Sequence, residues 1–495
     1  MNKRALLLII FLVIFIAGCQ QPEELPVAET AENKTASVQE IEPVYKVPHS
    51  GGTFTNRDLI YFIMTDRFYD GDDSDNQFKD VNKNNSKAYH GGDFQGIISK
   101  LDYIKSLGVT AIWITPVIEN TAGGYHGYWI NDFYKVDSHL GTMNVLKDLV
   151  KEAHKRDIKV LMDYVVNHVS PDSKMLKEEP ADWFNPKKDI ANWNNQENLE
   201  KGWIFGLPDL NQDNPEVKDF LIENALWWIS ETDIDGMRLD TVRHVPKTFW
   251  NEFSNAIKTE YPNFYLLGEV WNDNATYLEQ YHQLGIDGMT DYPLFKGIRN
   301  AFTRFGKTES LVNAIEKRDI YSNPEINGIF LDNHDNKRLI TYAGENGSLY
   351  LKQALTFIMT YPSIPIIYYG TEIAMKGGDD PDNRRDMDFE APKDFEALKF
   401  YKKLVALRSN NIAVREGSIE LLDYDSYFFS YIREKDDKSV IIIFNLQDKE
   451  KSKTVHIPTK ATNYENILDG KVYNVKGNKI DIALHAFDIL ILESK

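Results

Sequence analysis

The chain has 495 residues, of which 42% are hydrophobic and 12% aromatic, and its formal net charge is −19 at pH 7. This length and apolar content predict a globular protein with more than one domain. The negative charge would repel phosphate backbones, and the sequence contains no phosphate-binding loop, dinucleotide fingerprint or Cys/His metal cluster, so composition argues against a nucleic-acid partner and favours neutral substrates.

The first segment is typical of an export signal. Lys3 and Arg4 precede an unbroken apolar run, residues 5–16, that is too short to span a bilayer as a stable helix. Cys19 is the only cysteine, so no intramolecular disulfide can form. The pattern resembles a bacterial lipoprotein signal, which implies removal of residues 1–18 and a lipid on Cys19. An ordinary secretory signal with an incidental cysteine is the alternative.

Residues 19–50 have the composition of an extended tether. Between Gln20 and Ser50 there are four prolines, six glutamates and few bulky apolar side chains. Such a segment cannot bury enough apolar surface to fold by itself. We therefore expect the folded part to be exported and held at the bacterial cell envelope by a lipid anchor only.

From Asp58 onward, short β-rich apolar runs alternate with longer stretches of helical periodicity, which predicts repeated βα units and a parallel sheet. The expected strands lie near Leu59–Met64, Thr110–Thr115, Lys159–Met162, Gly236–Leu239, Tyr265–Leu267, Gly288–Thr290, Asn327–Leu331 and Ile364–Tyr369. Eight strands indicate a (β/α)8 TIM barrel of the α/β class, in which chemistry takes place at the carboxyl ends of the strands.

Two regions depart from this alternation. Residues 168–214, after the third strand, are rich in Asn, Asp, Trp and Pro and lack helical periodicity, which predicts a small excursion domain over the cleft. Past residue 409, strand-like segments predict a C-terminal antiparallel β domain, the last of them at Ile480–Leu492. The expected domains are thus a barrel over residues 51–167 and 215–409, the excursion, and a β domain over residues 410–495.

Three acids stand at or just after predicted strand ends: Asp240, Glu269 and Asp335. Arg238 and Asp240 are two residues apart in a strand and therefore point to the same face, where the guanidinium would keep the carboxylate ionised. Glycoside hydrolysis needs a nucleophilic carboxylate, a second carboxyl that protonates the leaving oxygen, and further negative charge. A buried ion pair that only fixes a loop is the alternative for Arg238 and Asp240 alone.

The order of motifs is similar to that of the α-amylase family of glycoside hydrolases. Its motif regions are matched by DYVVNH, GMRLDTVRH, GEVW and FLDNHD, which begin at Asp163, Gly236, Gly268 and Phe330, and LPDLN follows Gly206. The resemblance implies that Asp240 is the nucleophile, Glu269 the general acid/base and Asp335 the transition-state stabiliser. It also implies a substrate-binding set of His126, Tyr128, Trp129, His168, Arg238, Arg243, His334, Asp380 and Arg384.

The resemblance further implies Ca²⁺ at two places. One set is Asn167, Asp209 and the backbone carbonyl of His244, and the other is Asp70, Asp72, Asp75, Asn76, Gly91 and Asp93, which resembles a site of cyclodextrin glucanotransferases and maltogenic amylases. An acidic solvated loop is the alternative for the second set.

The motif flanks resemble those of fungal-type α-amylases, which implies retaining hydrolysis of internal α-1,4-glucosidic bonds in starch and maltooligosaccharides. A maltogenic, cyclodextrin-cleaving or glucan-transferring enzyme of the same family is the nearer alternative. A non-catalytic, surface glycan-binding lipoprotein is the remote one. We expect an α-glucan substrate as partner, with a monomer favoured.

Overall fold

The computed structural model describes residues 52–304, 306–390, 395–458 and 461–495. The predicted signal, Cys19 and the tether lie outside these residues. Within the described part of the chain, no helix is both long enough and apolar enough to cross a membrane.

Eight parallel strands form the central barrel, and their bounds are β1 Ile60–Ile63, β2 Ala111–Ile114, β3 Lys159–Tyr164, β4 Gly236–Leu239, β5 Tyr265–Gly268, β6 Gly288–Met289, β7 Gly328–Phe330 and β8 Ile364–Tyr368. Neighbours pair in sequence from β1 to β6, β7 pairs with β8, and β8 pairs with β1. A single bridge from Thr290 to Gly328 joins the last two edges, so the barrel is nearly closed. The eight-strand prediction is confirmed.

Helices cover the outside of the barrel, and several of them have a first turn that is capped by a preceding side chain. Asp93 accepts from the Gly96 amide, and Asn214 caps a helix whose first residue is Pro215. The α-helices after the strands are Thr65–Phe68, Phe94–Ser106, Met143–His154, Pro215–Thr232, Lys247–Glu260, Ala275–His282, Tyr292–Ala301, Glu309–Glu316, Leu339–Tyr342, Gly347–Thr360, Phe395–Asn410 and Ile412–Glu416.

The excursion after β3 is mostly irregular, as its composition predicts. It contains two short α-helices, Met175–Glu178 and Gln196–Glu200, and a small apolar core of Ile190, Leu199 and Ile204. An isolated bridge from His168 to Asp209 brings its two ends together next to the barrel. The sequence analysis did not predict the hairpin of Ile118–Asn120 and Ile130–Val136 that follows β2.

The C-terminal part is antiparallel β structure, as predicted. Its strands are Ser418–Asp425, Phe428–Lys435, Lys438–Asn445, Lys451–His456, Asn463–Asn466, Val472–Asn474, Lys479–Leu484 and Ile489–Ser494. The prediction of one strand over Ile480–Leu492 is wrong: that run forms two strands in different sheets, separated by a turn in which Phe487 has a φ of 56°. The domain boundaries stay a prediction.

Candidate active site

The carboxyl ends of three strands place the predicted acids in one cavity. Asp240 follows β4, Glu269 follows β5, and Asp335 lies in the loop after β7. A cavity of about 420 Å³ is lined by all three. Residues almost a hundred positions apart in the chain therefore meet, as a barrel mouth allows.

Arg238 joins two of these acids directly. Its Nη1 lies 2.6 Å from Asp240 Oδ1, and its Nη2 lies 2.7 Å from Glu269 Oε1. The side chain of Arg238, which belongs to β4, is buried at 1% exposure. Both carboxylates are therefore held side by side against one fixed positive charge.

Asp335 has partners of its own, His334 and Arg384. His334 Nε2 lies 3.2 Å from Asp335 Oδ2, and Arg384 Nη2 lies 3.4 Å from Asp335 Oδ1. Arg384 also contacts Asp380 and donates to the His334 carbonyl. The structure thus brings Asp380, Arg384, His334 and Asp335 together at one edge of the cavity.

Glu269 has the environment of a group that can carry a proton. Burial raises its pKa, the charges of Asp240 and Asp335 raise it further, and Arg238 opposes them, which leaves the pKa of Glu269 at about 7. The Thr241 amide and the Tyr292 hydroxyl donate to its two oxygens and fix its orientation. A carboxyl with this pKa is suited to general acid/base work near neutral pH.

Aromatic and imidazole rings form the wall of the cavity. Tyr128 stacks on His334 with centroids 5.2 Å apart and an interplanar angle of 4°, and His126 lies against Tyr128 and Trp129. His168 Nε2 and His334 Nδ1 are buried without a hydrogen-bond partner. Burial lowers the pKa of both histidines, which favours neutral rings, and these nitrogens are available to hydrogen-bond sugar hydroxyls.

Asp163 is a functional residue that the sequence analysis missed. Its carboxylate accepts from Arg238 Nη1 at 3.0 Å, from the Tyr128 hydroxyl at 2.7 Å and from Trp113 Nε1 at 3.2 Å. It therefore positions both Arg238 and Tyr128. Asp163 is the first residue of the DYVVNH motif in β3, and this position could have identified it from the sequence.

Arg243 lies outside the cavity that holds the acids, although it was predicted with the substrate-binding set. Its guanidinium donates to the backbone carbonyls of Trp271, at 2.6 Å, and Trp193, at 3.0 Å. Arg243 therefore ties the excursion to the loop after β5 and lines the neighbouring cavities. The sequence could not show this, because both acceptors are backbone atoms of other loops.

Phe205 is a second residue that sequence reasoning missed. Its side chain is 86% exposed at the cavity rim, and its backbone has a φ of 52°, a conformation that non-glycine residues rarely adopt. Trp193 lies 6.0 Å away, and Trp271 is exposed on the same rim. A large apolar ring kept in water beside a cavity is a feature of binding surfaces.

The first predicted calcium set meets at the base of the excursion. The side-chain oxygen of Asn167 lies 2.9 Å from the His244 carbonyl oxygen and 3.3 Å from Asp209 Oδ1, with no donor between them. In this orientation the Asn167 amide nitrogen donates to His168 Nδ1. Either a rotated amide, whose oxygen would then face His168 Nδ1, or a Ca²⁺ ion would satisfy the facing oxygens. The residues fit the ion.

The second predicted calcium set is brought together only in part. Asp70 Oδ1 and Asn76 Oδ1 are buried and unpartnered, and Gly91 packs against Asn76. However, Asp93 accepts from the amides of Gly71, Asp72 and Gly96, and Asp72 caps the turn at Asp73–Gln77. Asp75 lies in that turn, but its side chain is not among those that the structure describes. Among the described residues no group of three His, Cys, Asp or Glu side chains could hold a metal by itself.

Comparison with known proteins shows which family the chain is similar to. The model "Alpha amylase, catalytic domain" matches residues 62–394, and "Bacterial Alpha amylase C-terminal domain" matches residues 421–489. A solved Anoxybacillus α-amylase is 45% identical with a TM-score of 0.83, covering 89% of this chain and 98% of that one.

Two curated relatives extend the comparison. A β/α-amylase of Paenibacillus polymyxa is 40% identical over 86% of this chain, which spans only 36% of that protein. A cyclomaltodextrinase of Thermoanaerobacter pseudethanolicus is 32% identical, with 86% of this chain and 76% of the relative covered. Relatives named for different activities are thus similar to most of this chain.

Proposed function

The chain belongs to the α-amylase family of glycoside hydrolases, and from this premise we propose that it cleaves internal α-1,4-glucosidic bonds of starch and maltooligosaccharides with retention of configuration. The observation that carries the proposal is the pair of carboxylates, Asp240 and Glu269, on the single guanidinium of Arg238. Two acids held side by side suit the separation of about 5 Å found in retaining enzymes rather than the wider gap of inverting ones.

In the proposed reaction, Asp240 attacks the anomeric carbon while Glu269 donates its proton to the leaving glycosidic oxygen. The bond to the leaving chain breaks as the bond to Asp240 forms. Glu269, now ionised, then takes a proton from water, which displaces Asp240 and releases the sugar. Asp335, in the same cavity, stabilises the positive charge that develops on the ring in both steps.

The binding set holds one glucose unit in this position. Tyr128 presents a ring that is fixed by its bond to Asp163 and its stack on His334. His168 and His334 offer unpartnered nitrogens to hydroxyls, and Arg384 and Asp380 lie at the far edge. Sugar recognition by a flat ring and polar side chains around it follows from the amphipathic nature of a pyranose.

Calcium is proposed at the site of Asn167, Asp209 and the His244 carbonyl. When bound, the ion supplies positive charge that links the excursion to the segment following Asp240, and it takes no part in bond breaking. The second site, around Asp70 and Asn76, is a weaker proposal because the carboxylates of Asp93 and Asp72 already accept backbone amides. Chelation is the appropriate test of both.

The nearer alternative within the family is a maltogenic, cyclodextrin-cleaving or glucan-transferring activity, favoured by the cyclomaltodextrinase relative. A glycan-binding protein without catalysis is disfavoured, since all three acids are present and lie in one cavity. A timed product profile on amylose, pullulan and cyclodextrin, with and without chelator, distinguishes the proposed activity from these two alternatives. Rapid shortening of amylose before maltose accumulates supports endo-cleavage, whereas preferential opening of cyclodextrin supports the alternative.

We also propose that the protein is exported and anchored by a lipid on Cys19, in line with its N-terminal sequence. Metabolic labelling with a radiolabelled fatty acid tests this. Incorporation that is lost in Cys19→Ala, with release of activity from the membrane fraction, is the expected result. Equal release of both forms contradicts the anchor.

A further inference from the structure

A series of connected cavities leads away from the three acids over the barrel surface. The catalytic cavity of about 420 Å³ shares Phe205, Glu269 and Trp271 with a cavity of about 270 Å³. That cavity shares Trp193 and Trp271 with a third of about 460 Å³. The series is therefore continuous along one side of the site.

The direction of the series follows from the chemistry of the acids. Of the three, Glu269 alone lines the second cavity, and it is the group proposed to protonate the leaving oxygen. The cavities thus extend on the side where the leaving portion of the substrate lies. This step rests on the proposed function, because it uses the assigned role of Glu269.

The series continues into a fourth cavity of about 890 Å³, which shares Asn300 and Tyr342 with the third. Tyr342 ends the short helix Leu339–Tyr342 and is 47% exposed. The guanidinium carbon of Arg299 lies 3.8 Å from its ring centroid, and Arg299 is itself fixed by a bond to the Lys337 carbonyl. One face of the ring is thus supported while the ring remains accessible.

Tyr342 repeats the arrangement of the aromatic residues nearer the acids. Trp271 is 49% exposed and stacks on Tyr292 with centroids 5.0 Å apart. Trp193 is likewise half exposed on the same path. Rings that are supported on one face and accessible to solvent along a continuous path suit the successive apolar faces of a sugar polymer.

The lining of the distal cavity favours a neutral ligand. Arg304 and Lys307 are balanced by Glu309 and Glu345, so the lining charges cancel. Amide and hydroxyl side chains fill the remainder, and Asn300 Nδ2 donates to Ser310 Oγ between two helices. A phosphorylated or sulfated polymer would find no excess of positive charge here.

We propose that these cavities form a binding surface for the leaving portion of long α-glucan chains, with Tyr342 as its distal stacking platform. Short substrates that end before Tyr342 gain nothing from it. Long substrates gain binding energy on the leaving side of the scissile bond.

The test compares Tyr342→Ala with Tyr342→Phe, which keeps the ring, and with Tyr424→Ala, a tyrosine of similar exposure (46%) on the C-terminal strand Ser418–Asp425. The substrates are maltotetraose and maltodecaose labelled at the reducing end. We expect Tyr342→Ala to lower kcat/KM for maltodecaose about threefold to tenfold, as the loss of one stacked ring implies, and to leave maltotetraose unchanged. Longer labelled fragments should become rarer, and both other variants should match the parent.

If Tyr342→Ala lowers kcat/KM equally for both substrates, or for neither, the proposed distal surface is overturned and the proposed function is unaffected. Failure of the unsubstituted protein to hydrolyse either substrate overturns the proposed function instead. In that case, calorimetric titration of the Asp240→Asn protein with maltodecaose still tests the surface. The double variant Asp240→Asn, Tyr342→Ala must bind maltodecaose more weakly than Asp240→Asn alone, and unchanged binding contradicts the proposal.

Discussion

At the scale of single residues, Arg238 organises the site. Its buried guanidinium contacts Asp163, Asp240 and Glu269 at once, and its own position is set by β4. Its nearest carboxyl neighbours therefore share one cation whose geometry is planar and fixed. Because burial and the other acids raise the pKa of Glu269 against the effect of Arg238, Glu269 can hold a proton while another carboxylate acts as the nucleophile.

Replacing Asp240 by Asn removes the attacking oxygen and keeps the side chain's shape. We expect kcat to fall by about four orders of magnitude or more, with binding of maltooligosaccharides retained. Steady-state kinetics and calorimetric titration measure the two effects. Asp219→Asn, an exposed acid on the helix Pro215–Thr232, is the matched control and should behave as the parent. Substantial hydrolysis by Asp240→Asn would refute the assigned nucleophile.

The raised pKa of Glu269 predicts the alkaline side of the pH profile. A general acid works only while protonated, so kcat/KM is present below its pKa and falls as pH rises through about 7. Initial rates on a soluble maltooligosaccharide across the pH range give the profile. In Glu269→Gln this limb should disappear, with residual activity surviving best on substrates with activated aryl leaving groups. A profile that stays flat far into alkaline pH contradicts the role of Glu269.

Phe205 should contribute to binding rather than to stability, because its side chain is almost entirely in solvent. Phe205→Ala is expected to lower kcat/KM on maltooligosaccharides about threefold to tenfold, with little change in Tm. Leu176→Ala, a partly exposed apolar residue elsewhere in the excursion, provides the control. Equal losses in both variants would show that the excursion has been disturbed, and the binding role would be withdrawn.

At the scale of elements, the excursion depends on its connection to the barrel. Its two ends meet at the bridge from His168 to Asp209, and the facing oxygens of Asn167, Asp209 Oδ1 and the His244 backbone lie beside that bridge. Burial also raises the pKa of Asp209 well above its usual value, which is the electrostatic cost that a bound cation would remove.

We therefore expect chelation to lower Tm by several degrees and to reduce activity, since a ligand that binds only the folded state stabilises it. Asp209→Ala should reproduce the loss and no longer respond to chelator. Scanning calorimetry with and without added Ca²⁺ measures both. Asp70→Ala, at the second proposed site, distinguishes the two calcium sites. If the Tm response to chelator disappears in Asp70→Ala and persists in Asp209→Ala, calcium binds at the second site rather than at the first.

The elements were predictable from sequence where one local pattern decides the structure. Buried parallel strands appear as short apolar runs between helical patterns, so all eight barrel strands were found, and the strand-end acids followed. Sequence patterns were insufficient where distant backbone decides. The bonds of Arg243 to the carbonyls of Trp193 and Trp271 could not be predicted, and the break in Ile480–Leu492 depends on a turn at Phe487. Asp163 positions Arg238 and Tyr128 through contacts that form only when β2, β3 and β4 pair in the barrel.

At the scale of the whole molecule, an aromatic-lined path adjoins a site with fixed charges. The chain as a whole is acidic, with a formal net charge of −19. The positive charge in the catalytic region is concentrated in Arg238 and Arg384, both paired with carboxylates. A long uncharged glucan fits this distribution, and electrostatic steering contributes little to its binding.

The most direct test of the central claim is proton NMR of the first products from a maltoheptaoside whose non-reducing end is blocked. The side-by-side acids on Arg238 predict that each new reducing end first appears as the α-anomer. The proposed internal cleavage predicts that the blocked substrate is hydrolysed. Initial appearance of the β-anomer would contradict the mechanism. A blocked substrate left intact while cyclodextrins or α-1,6 bonds are cleaved would contradict the activity.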